Sequence, residues 1–231
     1  MSGQRAGSAA RGVRHHEDNL KSNIVSGYCP AMGRAPRIDV GGEIYHVINR
    51  GNDRRTLFHT DVDYIFFENL LFETLQEVGV VCQAFVLMPN HWHLLLKTYE
   101  DGALAASMQK LTQVHTQAVH VRAHTIGNGH LYQGRYKSFV VEKDSYYLSV
   151  RKYIERNPVR AHLSPTAEEW RWGSAHHRFR HTNRKEALDT DIPLDLPHDY
   201  FHWLNETTGD EELEVIRASM GGRQDIIQAA T

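Results

Sequence analysis

Cysteine is nearly missing from this chain: among 231 residues there are two, Cys29 and Cys82. Two thiols cannot build the cross-linked framework of a small secreted domain, and such sparse use fits a reducing compartment. Long apolar runs are missing as well. The longest are of strand length, which speaks against a membrane-spanning helix, and the first residues lack the apolar stretch of a secretory signal. The expectation is a cytoplasmic protein with no membrane partner. No internal repeat or long low-complexity tract stands out. What is present is a 41% hydrophobic content, enough for one substantial core, or one core plus a small appendage.

A dominant charge is lacking too. The formal net charge is −2, which at first argues against a nucleic-acid partner. That figure hides an asymmetry: from Glu186 onward eleven carboxylates stand against Arg217 and Arg223, leaving 24 basic and 17 acidic residues before that point. The body is basic and the tail acidic.

Residues 1–33 are rich in Gly, Ser, Ala and Arg without apolar periodicity and read as a disordered leader. Glu43 to Arg50 alternates as a strand and ends in a turn at Gly51-Asn52. Helical spacing of Tyr64, Ile65, Phe67, Leu71, Leu75 and Val78 predicts a helix that Asp61 caps and Gly79 stops. The apolar run Val80–Met88 turns at Pro89-Asn90 into His91–Thr98, a hairpin. Asp101-Gly102 opens a second helix from Ala103 to about Ala123. A fourth strand spans Tyr136–Val141, and Asp144 caps the helix that carries Tyr153. This β-α-β-β-α-β order plus a C-terminal helix predicts an α+β, ferredoxin-like fold: a four-stranded antiparallel sheet with two helices on one face. The domain is expected to span 34–180, with Trp170 and Trp172 packing back on the core. An acidic segment, 181–231, follows with a short helix near Asp210–Met220.

His91-Trp92-His93 carries the chemistry. Alternation on a strand sets two imidazoles side by side while the tryptophan faces the core. Tyr153 and Asn157 are four residues apart, so on a helix the phenol and the amide share a face. Each part has a plainer reading: His-x-His can decorate a surface or a core, and a helical tyrosine beside Ile154 can simply pack. Together they are the parts of a metal-assisted phosphoryl-transfer site. Basic residues from Gly134 to Arg160, interleaved with tyrosines, suit a single strand whose phosphates need charge and whose bases need stacking surfaces.

Four segments in order, Arg37–Arg54, Phe85–Leu96, Gln133–Lys137 and Tyr153–Ala161, resemble the REP-associated tyrosine transposases. These are relatives of the small insertion-sequence transposases in the superfamily of His-hydrophobe-His single-stranded-DNA nucleases. The resemblance implies Mg²⁺ or Mn²⁺ held by His91, His93 and Asn157, and a nucleophilic Tyr153 that forms a 5′-phosphotyrosine. It implies as partner a folded-back single strand of a repetitive extragenic palindrome with its flanking guide sequence, bound by a monomer or a homodimer. The candidate DNA contacts are Arg135, Lys137, Arg151, Lys152 and Arg156 near the tyrosine, and Arg37 and Arg50 around the first strand. Two other readings use the same fold: a non-cleaving nucleic-acid-binding regulator, and a replication initiator or relaxase. Four intact candidate site residues argue against the first, and the short chain against the second.

Overall fold

The computed structural model describes residues 39–125, 127, 129–142, 145–188 and 191–219; the expected leader, Cys29, Arg37 and the Asp144 cap lie outside them. Strand β1 (Ile44–Arg50) is followed by α1 (Asp61–Val78), the hairpin β2 (Val81–Met88) and β3 (His91–Lys97), α2 (Ala103–Arg122), β4 (Lys137–Val141) and α3 (Ser145–Glu155). The four strands pair antiparallel in the order β2-β3-β1-β4. This is the predicted ferredoxin-like sheet. Shorter helices follow: α4 (Asn157–Arg160), α5 (Ser174–Phe179), α6 (Lys185–Leu188), α7 (Tyr200–Asn205) and α8 (Asp210–Ser219).

Strand alternation divides the apolar residues between two cores. On one face, Tyr45, Val47, Trp92, Leu94 and Leu96 pack against Phe67, Leu71 and Leu75 of α1 and Leu104, Met108 and Leu111 of α2. Each such side chain contributes roughly 1.5–3 kcal/mol by leaving water. On the other face, Ile44, Ile48, Val86, Met88 and Leu95 meet Tyr147, Val150, Tyr153 and Ile154 of α3, with Leu213 and Ile216 of α8 beside them. The acidic end of the chain therefore carries a helix packed on this second core, through the apolar side of α8.

Local chemistry sets the boundaries. The cap of α1 is Thr60 rather than Asp61: Asp63 Oδ2 accepts from the Thr60 N–H at 2.9 Å, the return half of a capping box. Gly79 ends the helix at φ 78°, a left-handed conformation that glycine adopts without strain. For α2 the capping carboxylate comes from outside the Asp101-Gly102 turn, because Asp39 accepts from the N–H groups of Leu104 (3.2 Å) and Ala105 (2.7 Å). Gly51 is needed after β1 for space, since a Cβ there would lie 2.2 Å from the Arg55 carbonyl oxygen. The edge of β2 is covered by the tryptophan-rich segment: Leu87 N–H donates to Trp172 O at 2.8 Å and Phe85 N–H to Ser174 Oγ at 3.0 Å. Pairing by a second chain is blocked along that stretch.

Candidate active site

The sheet face under α3 collects the polar side chains that alternation predicts. The register sets Ile48 opposite both His93 and Lys137, Arg50 opposite His91, and His46 opposite both Leu95 and Phe139. His46, Arg50, His91, His93, Lys137 and Phe139 thus share one face of β1, β3 and β4. Tyr153 of α3 closes over them. Its ring centroid lies 5.9 Å from that of His93 and 6.1 Å from that of His46, edge-on to each. Asn157, the first residue of α4, hydrogen-bonds through its side chain to His91. The structure therefore brings His91, His93, Tyr153 and Asn157 together, with Arg50 beside His91 and Lys137 on the same face.

Both imidazoles have their Nδ1 engaged by a neighbouring side chain. His91 Nδ1 lies 2.6 Å from Asn90 Oδ1, and since an amide oxygen can only accept, the ring donates there. His93 Nδ1 lies 3.0 Å from His46 Nε2. Burial, then the nearby Arg50 and Arg160, push His91 down to about 3, although its bond to Asn157 works the other way. Burial and Arg160 bring His46 to about 3. His93 is held well below its ordinary value by burial, its two neighbouring imidazoles and Arg160. All three rings are neutral at pH 7. With Nδ1–H donating to Asn90, His91 carries its lone pair on Nε2, and His93 does the same when the proton it shares with His46 sits on its Nδ1, the tautomer a metal ligand needs. Two neutral imidazoles and an amide oxygen fit a divalent ion. Among the described residues no three His, Cys, Asp or Glu side chains cluster as a metal-binding group.

Two site residues were not singled out from sequence. His46 is one; its signal is the alternation Ile44, His46, Ile48, Arg50, which becomes a site signal only once β1 is known to lie beside β3. The other is Arg160, whose guanidinium carbon sits 4.1 Å over the Tyr153 ring while Nη1 donates to the Tyr153 carbonyl at 2.9 Å. It belongs to the Asn157-Pro158-Val159-Arg160 turn of α4, which folds it back over the end of α3.

For three of the candidate DNA contacts the expectation is corrected. Arg151 is 0% exposed; its Nε donates to Tyr200 Oη and its Nη1 to Tyr147 Oη, each at 3.0 Å. Desolvation opposes its charge, but Tyr200, Glu155 and Tyr147 outweigh that and raise its pKa. Lys152 is buried with Nζ 5.0 Å above the Trp203 ring. Arg156 is buried and donates to the carbonyl of Glu206 and, at 3.4 Å, to Thr208 Oγ1. These cations hold the segment around α7 against α3, so no phosphate reaches them in this arrangement. Arg135 is exposed, at the rim of a cavity on the far face of the sheet.

His115, buried in the other core, gives a pH prediction. Tyr132 Oη accepts from Trp92 Nε1 at 3.2 Å and shares a hydrogen bond of 2.6 Å with His115 Nδ1 inside the apolar core. Burial first, with Arg122 adding to it against Asp63, lowers His115 to about 3. Unfolded, the same side chain titrates near about 6.5. Its stabilising contribution is therefore complete above pH 6.5 and is lost at about 1.4 kcal/mol per pH unit as pH falls toward 3. The three site histidines act in the same direction when no metal is bound. Denaturant titrations at pH 7, 6 and 5 should show stability falling with pH; a flat profile contradicts the neutral burial of these rings.

Comparison with known proteins places the geometry. Residues 40–157, just over half of the chain, match a family model described as an IS200-like transposase. A solved structure described as a REP-associated tyrosine transposase bound to a REP hairpin is similar in fold, with a TM-score of 0.53 at 18% identity, covering 64% of this chain and 86% of that one. A chain described as a transposase from Deinococcus radiodurans gives 20% identity over 54% of this chain and 95% of its own, at a TM-score of 0.37. No curated protein matches. Among the described residues no helix is long and apolar enough to cross a membrane. By its family match the chain belongs to the IS200-like transposases.

Proposed function

We propose that this transposase is a metal-dependent single-stranded-DNA endonuclease and strand transferase that works through a 5′-phosphotyrosine at Tyr153. One observation carries the reading: a single buried tyrosine edge-on to a pair of neutral, anchored histidines, with a cation over its ring. His91, His93 and Asn157 are the residues to hold Mg²⁺ or Mn²⁺, which when bound supplies a Lewis acid toward a phosphate oxygen.

The protein's own groups do the rest. Tyr153 Oη forms a bond to phosphorus, its proton passing to water, while the bond from phosphorus to the 3′ oxygen breaks and that oxygen takes a proton from water. A second 3′ hydroxyl reverses the same exchange, so the ester's energy is kept and strands can be rejoined without a nucleotide cofactor. Because Tyr153 is only 3% exposed, a strand must open the site to reach it. Arg160, lying over the ring, is the group placed to turn toward the incoming phosphate. His46, whose Nε2 lies 3.0 Å from His93 Nδ1, holds that ring in place and so acts as a positioning residue. The similarity to a REP-hairpin complex supports a hairpin with a single-stranded flank as substrate. A pure binding protein has no use for this convergence.

Calorimetry with Mn²⁺ and cleavage of a labelled hairpin test the metal reading together. His91→Ala and His93→Ala should remove Mn²⁺ binding and cleavage while hairpin affinity persists. His46→Ala should weaken Mn²⁺ binding by roughly 10–100-fold, as loss of an anchoring partner does. Full cleavage in excess chelator rules the metal out.

A further inference from the structure

On the face of the sheet opposite Tyr153, a cavity of about 820 Å³ opens between α2 and the segment 129–136 that leads into β4. Its walls differ in kind. One is a face of α2 carrying the exposed amides of Gln109, Gln113 and Gln117, four residues apart. The other presents the buried rings of Tyr132 and Tyr136. Tyr132 is fixed in place, because its hydroxyl is held from behind by Trp92 and His115. Arg135 stands at the rim, and among the described residues no carboxylate lines the space. Flat rings, amides that both donate and accept, one cation and no anion are what an unpaired nucleotide requires: a surface for the base, partners for its edge and a charge for its phosphate.

The position points the same way. Trp92, which anchors the cavity wall, lies between His91 and His93, so one stretch of β3 serves the active site above the sheet and the cavity below it. Tyr136 lines the cavity, and the next residue, Lys137, is on the Tyr153 face. Layers packed on a sheet are separated by about 10 Å, a gap that a few nucleotides of a single strand can span around the β1–β4 end.

We propose that this cavity holds an unpaired adenine of the strand that Tyr153 cleaves, a few nucleotides from the scissile phosphate, and so helps to set which strand is cut. Adenine is the base whose N6 and N7 a glutamine amide can meet with two hydrogen bonds. The proposal rests on the nuclease reading for the strand's identity, but its test does not need cleavage. Anisotropy with the full chain compares one labelled hairpin carrying a flank of adenines with the same hairpin carrying thymines or abasic sites. The native protein should bind the adenine flank about tenfold more tightly or better, and in Gln109→Ala/Gln113→Ala that ratio should fall close to one. Alanine at exposed helical positions favours the helix, and an unchanged melting temperature confirms the fold. Equal affinities for all flanks in the native protein overturn the proposal, as does a ratio that survives the double substitution. If discrimination is found without any covalent adduct, the nuclease reading fails and the base site stands.

Discussion

Tyr153→Phe is expected to lower covalent strand cleavage by at least about 10⁴-fold, the scale seen when a nucleophile is removed from a site that otherwise stays intact. Phenylalanine keeps the ring between His46 and His93 and under the Arg160 guanidinium, so melting temperature and hairpin affinity should change little. The measurement is a single-turnover assay with labelled single-stranded substrate, paired with a binding curve for the same oligonucleotide. Tyr147 is the control, since its hydroxyl accepts from Arg151 inside the protein and has no path to a phosphate. Cleavage that survives in Tyr153→Phe places the nucleophile elsewhere.

Arg178→Ala is expected to have the largest effect on stability, a loss of about 3–5 kcal/mol in a denaturant titration, because it strands a buried carboxylate. Arg178 Nη1 meets Glu155 Oε1 at 2.6 Å, and Nη2 donates to the carbonyls of Gln83 (2.6 Å) and Leu188 (2.9 Å). Glu155 also accepts from Ser174 and Tyr200. One carboxylate, two residues past the proposed nucleophile, thus ties α3 to α5 and α7, while its arginine ties in β2 and α6. Glu155→Gln leaves no carboxylate stranded and keeps one accepting oxygen toward Ser174 and Arg178, while Arg178 retains the carbonyls of Gln83 and Leu188, so it should cost less than Arg178→Ala. A loss under about 1 kcal/mol for Arg178→Ala would mean that the pair behaves as an exposed one.

The sheet was legible because its signals are local. Alternation in Glu43–Arg50, the Pro89-Asn90 corner and the helical spacing of Tyr64 to Val78 each depend on neighbours in sequence, and together they give the observed order β1-α1-β2-β3-α2-β4. The pairing of His91 with His93 was legible because the strand period sets both on one face, whereas Tyr153 and Asn157, read as one helical face, fall in α3 and at the start of α4. His46 was not: it reaches His93 across 47 residues of chain, and its partner is known only when β1 is seen beside β3. Arg151, Lys152 and Arg156 were misjudged for a related reason. A basic run on a helix reads as solvated until its cover is known, and that cover, Tyr200, Trp203, Glu206 and Thr208, comes from some 50 residues later. In the sequence the same stretch shows only as part of an acidic tail. Its helix α8 is amphipathic, and Leu213 and Ile216 are what place it on the core.

The most direct test of the central claim is to find the residue that carries the DNA. The native protein, incubated with a hairpin bearing a single-stranded flank and Mn²⁺, is denatured and digested, and the nucleotide-linked peptide is sequenced by mass spectrometry. The account predicts one modified peptide, with a phosphodiester from Tyr153 Oη to a 5′ end and a free 3′ hydroxyl on the released strand. A modification on another side chain, or cleavage that leaves no protein attached, contradicts it.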